Sequence, residues 1–137
     1  MLKRTINYKD WNDLDRSEEH YFNLTKPEVM KMQTSVEGGY DVKVKALAAG
    51  MNGAGIMEFF ENFIKQSYGV KSDDGRRFMK SEEISRAFME TRAYEVLFEE
   101  LVTNSKAAAK FFNDVMPQDL DELAEKVAKA QAEASTN

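Results

Sequence analysis

The sequence predicts an α+β protein, mostly α, with an N-terminal β-hairpin followed by a bundle of about six helices. Three observations predict it. The first residues alternate apolar and polar with a period of two, the rest of the chain carries apolar stripes at helical spacing, and short connections rich in capping residues, Gly or Pro separate the stripes.

Leu2, Arg4, Ile6 and Tyr8 alternate with Lys3, Thr5, Asn7 and Lys9, which places the large groups on one face of a strand. His20, Phe22 and Leu24 repeat the pattern. Between them DWNDLDRSEE is polar and acidic apart from Trp11 and Leu14, so a longer hairpin loop is expected rather than a two-residue turn. The hairpin, residues 2–24, would be marginal alone, and its apolar face must pack on helices.

Helices are expected across residues 26–115. Thr25-Lys26-Pro27-Glu28 is a helix start, because the Thr hydroxyl and the Glu carboxylate satisfy each other's backbone donors. That helix runs to about Val36 and ends at Glu37-Gly38-Gly39. Tyr40, Val44, Leu47, Ala48 and Met51 form a second, loosened by Asn52-Gly53 and Gly55. Ile56, Phe59, Phe60, Phe63 and Ile64 then make the strongest stripe, read as core.

The stretch Tyr68 to Met79, YGVKSDDGRRFM, centres on a tight-turn signal at Asp74-Gly75 and is read as a link between two helical halves. Ser81 caps the next helix, with Glu82 and Glu83 at its positive end and Ile84, Ala87 and Phe88 as its face. Thr91 breaks and recaps the chain before Tyr94, Leu97, Phe98 and Leu101. Thr103 or Asn104 caps a last stripe of Ala107, Ala108, Phe111, Phe112 and Val115, closed by Pro117. Phe59, Phe60, Phe63, Tyr94, Leu97, Phe98, Phe111 and Phe112 are expected to be mostly buried.

Residues 1–117 are thus expected to form a single globular domain, and 118–137 a C-terminal helix or flexible tail. Leu120, Leu123, Val127, Ala130 and Ala134 trace a heptad-like seam that declines to alanine. Glu122 with Lys126 and Glu125 with Lys129 favour local helicity. The seam fits an exposed, fraying helix as well as one that binds a partner, either a second copy of this chain or an apolar client helix.

Chemistry is sparse. The chain has no Cys, hence no disulfide or thiolate nucleophile, and MLKRTINYKDW lacks the apolar stretch of a signal peptide. No run approaches the roughly 18 apolar residues of a spanning helix, so a soluble, unexported chain without membrane contact is expected. A net charge of −5 opposes nucleic-acid binding. Arg76 and Arg77, the one adjacent basic pair past the N-terminus, sit beside Asp73 and Asp74 and are expected to pair with carboxylates rather than phosphate. His20, the single histidine, reads as structural. Asp10, Asp13, Asp15, Glu18 and Glu19 lack the spacing of a calcium loop, and no phosphate-binding glycine motif occurs. No catalytic, cofactor-binding or metal-ligating residue is assigned, and the chain is not read as an enzyme.

The series YFNLTKPEVMKMQ, VEGG and SYGVKSDDGRRFMKSEEISRAFMETRAYEVLFEELVTNSKAAAKFFNDVMP resembles the tail assembly chaperones of long-tailed bacteriophages, over roughly residues 5 to 117. The resemblance implies a non-enzymatic role in the host bacterial cytoplasm: binding the tape measure protein, keeping it soluble and helping recruit tail tube subunits. It also implies, as a companion, a longer form of the same protein made by translational frameshifting. Arg76, Arg77, Leu120, Leu123 and Val127 are the partner-binding candidates. The competing readings are a head-tail connector or tail completion protein of the virion, and a small regulatory binding protein.

Overall fold

The structure, a computed structural model, describes residues 1–34 and 53–117. In chain order these form β1 (Leu2–Lys9), β2 (Asp15–Phe22), α1 (Lys26–Thr34), α2 (Gly53–Ser67), β3 (Tyr68–Lys71), β4 (Phe78–Met79), α3 (Glu82–Met89), α4 (Arg92–Thr103) and α5 (Ser105–Val115). The class is the expected one, with five helices among the described residues rather than about six. The expected helix carrying Tyr40 to Met51 lies outside the described residues.

The sheet is larger than the sequence suggested. Its strands lie in the order β1-β2-β3-β4, all antiparallel. β1 and β2 pair from Leu2↔Phe22 to Lys9↔Asp15, so the second half of the stretch read as a long loop, Asp15 to Glu19, is strand. Alternation was invisible there because Asp15 to Glu19 is exposed on both faces. The stretch read as a link is a second hairpin, with Val70 opposite Met79 and Lys71 opposite Phe78, joined to β2 through Tyr21↔Gly69 and Phe22↔Tyr68. Gly69 permits this: a Cβ there would lie 2.6 Å from the Phe78 ring and 3.0 Å from the Met79 carbonyl oxygen.

The helix starts follow their capping residues. Glu28 N–H donates to Thr25 Oγ1 at 3.3 Å while Thr25 N–H donates to the Glu28 carboxylate at 2.9 Å. Ser81 Oγ accepts from Ile84 N–H at 3.0 Å and Thr91 Oγ1 from Tyr94 N–H at 3.4 Å. Asn104, not Thr103, caps α5, its side-chain oxygen accepting from Lys106 and Ala107 N–H groups, both at 3.1 Å.

Beneath the sheet lies a core built on phenylalanine. Phe22 is fully buried and its ring meets Tyr68, Phe88 and Phe111 at centroid distances of 5.6, 5.8 and 5.2 Å. The α2 stripe delivers Phe59, Phe60, Phe63 and Ile64 to the same core, where Phe63 packs on Phe112 at 5.2 Å. Leu97, Phe111 and Phe112 are buried as expected, but Tyr94 and Phe98 are only partly so. They stack on each other at 5.5 Å along the margin of the core, where no further layer among the described residues covers them. On α3 the buried pair is Ser85 and Phe88 rather than Ala87 with Phe88; the Ser85 hydroxyl donates to the Lys65 carbonyl at 2.7 Å, which makes a polar group tolerable inside.

Phe63 is 1% exposed. Replacing it with Ala should cost about 3–5 kcal/mol, read from chemical denaturation, because the surrounding rings cannot collapse into the space. A loss below about 1 kcal/mol would mean that the stripe is surface.

Candidate functional site

Three places carry the polar and exposed apolar groups that chemistry or recognition would use: the second hairpin turn, the junction around Lys80, and the tip of the first hairpin.

At the second turn, Asp74 organises the backbone. Its carboxylate accepts from Arg76 N–H at 3.0 Å and from the Ser72 hydroxyl at 2.7 Å, and these bonds hold its pKa below the ordinary value. Ser72 N–H donates to Arg77 carbonyl at 2.8 Å, and Gly75 takes φ 74. With Asp74 already engaged, the expected pairing of the two arginines is absent: Arg76 and Arg77 are exposed and neither guanidinium makes an ion pair among the described residues. Among the described residues these two cations therefore have no carboxylate partner. Leu120, Leu123 and Val127 lie outside the described residues.

At the junction, Lys80 Nζ donates to the Asn23 carbonyl at 2.5 Å and to both Glu28 carboxylate oxygens at 2.9 and 2.8 Å. All three ammonium hydrogens are engaged, which makes this lysine a clamp rather than a nucleophile. Burial pushes the Glu28 carboxyl up, but hydrogen bonds from Lys80 and Thr25 outweigh it and the net shift is downward. Beside the pair runs an open cleft of about 810 Å³, lined by Leu24, Asn62, Lys65 and Ser85 among others.

His20 is half-buried against Phe88 and Tyr68, ring centroids 5.0 and 6.1 Å away. Its Nε2 has no hydrogen-bond partner among the described residues, and the nearest carboxylate oxygen, on Glu18, is 3.8 Å away. Burial lowers its pKa more than Glu18 raises it. Among the described residues the imidazole packs between the Phe88 and Tyr68 rings, with the Glu18 carboxylate as its charged neighbour. Among the described residues no cluster of His, Cys, Asp or Glu could hold a metal ion, and no helix is long and apolar enough to cross a membrane.

The tip of the first hairpin is what the sequence reading passed over. Asp10 accepts from Asn12 N–H, Leu14 N–H and Arg16 Nε at 2.8, 3.0 and 2.8 Å, bonds that lower its own pKa. Asp13 takes φ 61, a conformation Asp tolerates better than most residues. On this rigid turn Trp11 and Leu14 stand 71% and 56% exposed. The sequence did single them out as the apolar exceptions in an acidic stretch, which was the available signal.

The protein is thus a small acidic α+β domain whose described turns are held by side-chain-to-backbone bonds and which exposes Trp11 and Leu14 at one of them. A family model described as phage tail assembly chaperone matches residues 1–137, the whole chain, and the chain belongs to that family. Neither a curated protein nor a solved structure matches it.

Two outcomes check these placements. Because nothing lies within 4 Å of a Cβ at Gly75, Gly75→Ala should cost only the left-handed backbone, about 1–2 kcal/mol, with Gly75→Asn milder. His20 has a folded pKa below its ordinary 6.5, so its contribution to stability is fully present above pH 6.5 and declines as pH falls through the folded value. Denaturation midpoints should therefore drop on acidification in that range for the natural chain, and His20→Phe should flatten the drop.

Proposed function

We propose that this protein binds the tape measure protein in the host bacterial cytoplasm, keeps it soluble, and helps recruit tail tube subunits around it. The observation that carries the reading is membership of the tail assembly chaperone family along the whole chain. Phage tail assembly takes place in the host cell, so the partners are tail proteins and the work is binding rather than catalysis. The exposed apolar groups Trp11, Leu14, Met57 and Val96 on an acidic surface support it, since a protein that shields a client must offer apolar contact and remain dispersed itself. In this reading residues 1–117 are the single globular domain, and the segment from 118 supplies a further contact through Leu120, Leu123 and Val127. Arg76 and Arg77 serve as a second, polar contact, and both a second copy of the chain and a longer frameshifted form can share the client.

Co-expression with the tape measure protein tests it: the client should move from the insoluble to the soluble fraction and co-purify with the chaperone. Deleting residues 118–137 should change the unfolding temperature by less than about 2 °C while weakening client binding or self-association. A client that stays insoluble, or this chain found as a stoichiometric part of purified virions, would favour the connector reading instead. Failure of the truncated chain to fold would place that segment in the core.

A further inference from the structure

We infer that the tip of the first hairpin, with the adjoining face of α4, is the docking surface for a cationic segment of the client bearing large apolar side chains. The inference rests on the chaperone reading and adds where the contact lies and what chemistry it recognises.

The anchor is Trp11. Tryptophan is seldom left mostly exposed, yet here it is held in one orientation: its Nε1 donates to the Glu90 carbonyl at 3.1 Å, and the Arg92 guanidinium lies 5.4 Å from the ring centroid. One turn along α4 from Arg92, Val96 is 41% exposed, so the apolar surface continues from the turn onto the helix. A rigid aromatic group on a pre-ordered turn loses little entropy on binding, and tryptophan is among the residues that most often dominate interface energy.

Charge selects the occupant. Asp10, Asp13, Asp15 and Glu95 surround these groups; of the cations there, Arg16 pairs with Asp10 at 2.8 Å, Arg92 with Asp13 and Glu95 at 3.7 and 3.8 Å, and Lys9 stands opposite Asp15 in the strand register. Asp15 and Glu99 make no ion pair among the described residues. The surplus is negative, which repels a second copy of this surface and favours lysine or arginine on the incoming segment. Opposite charges at the rim set register and speed of association, while the tryptophan supplies the desolvated contact.

Trp11 is the chain's single tryptophan, so its emission reports on this surface alone. The full chain is titrated with a synthetic amphipathic peptide carrying lysines on its polar face, and with the same peptide carrying glutamates. The lysine peptide should shift Trp11 emission to the blue and bind at least about tenfold more weakly to Asp13→Lys/Asp15→Lys or in salt at about threefold physiological ionic strength; the glutamate peptide should give no shift. In co-expression, Trp11→Ala/Leu14→Ala should lose at least about tenfold of client retention with its circular dichroism and unfolding temperature preserved. No shift with either peptide, equal shifts with both, or full client retention by the double variant would each overturn the docking surface. If the natural chain fails to solubilise the tape measure protein while the lysine peptide still gives its charge-dependent shift, the surface stands as a cation-selective contact and the chaperone reading is what falls.

Discussion

The structure depends on one short piece of chain, Phe22-Asn23-Leu24, where the sheet ends and the helices begin. Phe22 puts its ring among Tyr68, Phe88 and Phe111, so that β3, α3 and α5 all pack on the same residue. The next two residues fix the backbone to the same partners: Asn23 N–H donates to the Ser67 carbonyl at 2.8 Å, and Leu24 N–H to the Val115 carbonyl at 3.2 Å. Lys80 then closes the set by joining the Asn23 carbonyl to Glu28. Ring packing here does the stabilising, as the desolvated area is large, and the hydrogen bonds select which of many packings is adopted. A partly buried ion pair such as Lys80 with Glu28 gains little net free energy once desolvation is counted; its effect is to hold α1 and the start of α3 at one angle.

With its inner end fixed, the first hairpin behaves as an arm laid along α4. Ile6 is buried beneath it, and polar ties sit at both ends: Arg4 reaches Glu100 at 2.5 Å, while Trp11 and Asp13 reach Glu90 and Arg92 at the opposite end of the helix. Tyr8 donates to Glu18 across the two strands, a bond that pushes its own pKa up to about 12 and stiffens the arm midway. The arm is therefore straight and seated without being buried on its outer side, which explains how Asp15 to Glu19 can be strand while exposed throughout. Backbone pairing with β1, rather than side-chain burial, keeps that half ordered.

Legibility followed burial. Where one face of an element is desolvated, the sequence displayed it: the α2 stripe, the Thr25–Glu28 start, and the caps at Ser81, Thr91 and Asn104 were all readable, because each reflects a local rule with a single physical cause. The outer half of β2 carries no alternation, and β3 and β4 are too short to display a period, so neither could be read. Gly69 was the missed hint, a glycine whose absent side chain leaves room for the Phe78 ring. Tyr94 and Phe98 failed differently: their spacing matches the stripe, but position on a stripe gives direction and not cover, and the cover comes from other elements. The candidate site divided in the same way. Arg76 and Arg77 could be named as candidates because a basic pair is visible in one dimension, whereas the exposure of Trp11 depends on the turn at Asp13 and on a carbonyl 79 residues away, which no local pattern encodes.

In the proposed docking role, the hairpin tip would settle a tension in any protein that must offer apolar surface to a client without using that surface on itself. Trp11 and Leu14 would invite self-association if their surroundings were neutral, because burying both against a second copy removes apolar area from water. Carboxylates around them change the balance, since two such tips brought together add like charges at short range in a partly desolvated gap, where repulsion is least screened. The same carboxylates turn attractive toward a cationic partner, so one arrangement of charge discourages the wrong contact and recruits the right one. The arrangement works only if the tip cannot fold its tryptophan back under the arm, and the Asp10 carboxylate prevents that by accepting from the backbone on both sides of Asp13. Rigidity of the turn is thus a condition that the proposed recognition requires, and Asp10, within the stretch expected to be a loop, imposes it through its bonds to the Asn12 and Leu14 N–H groups.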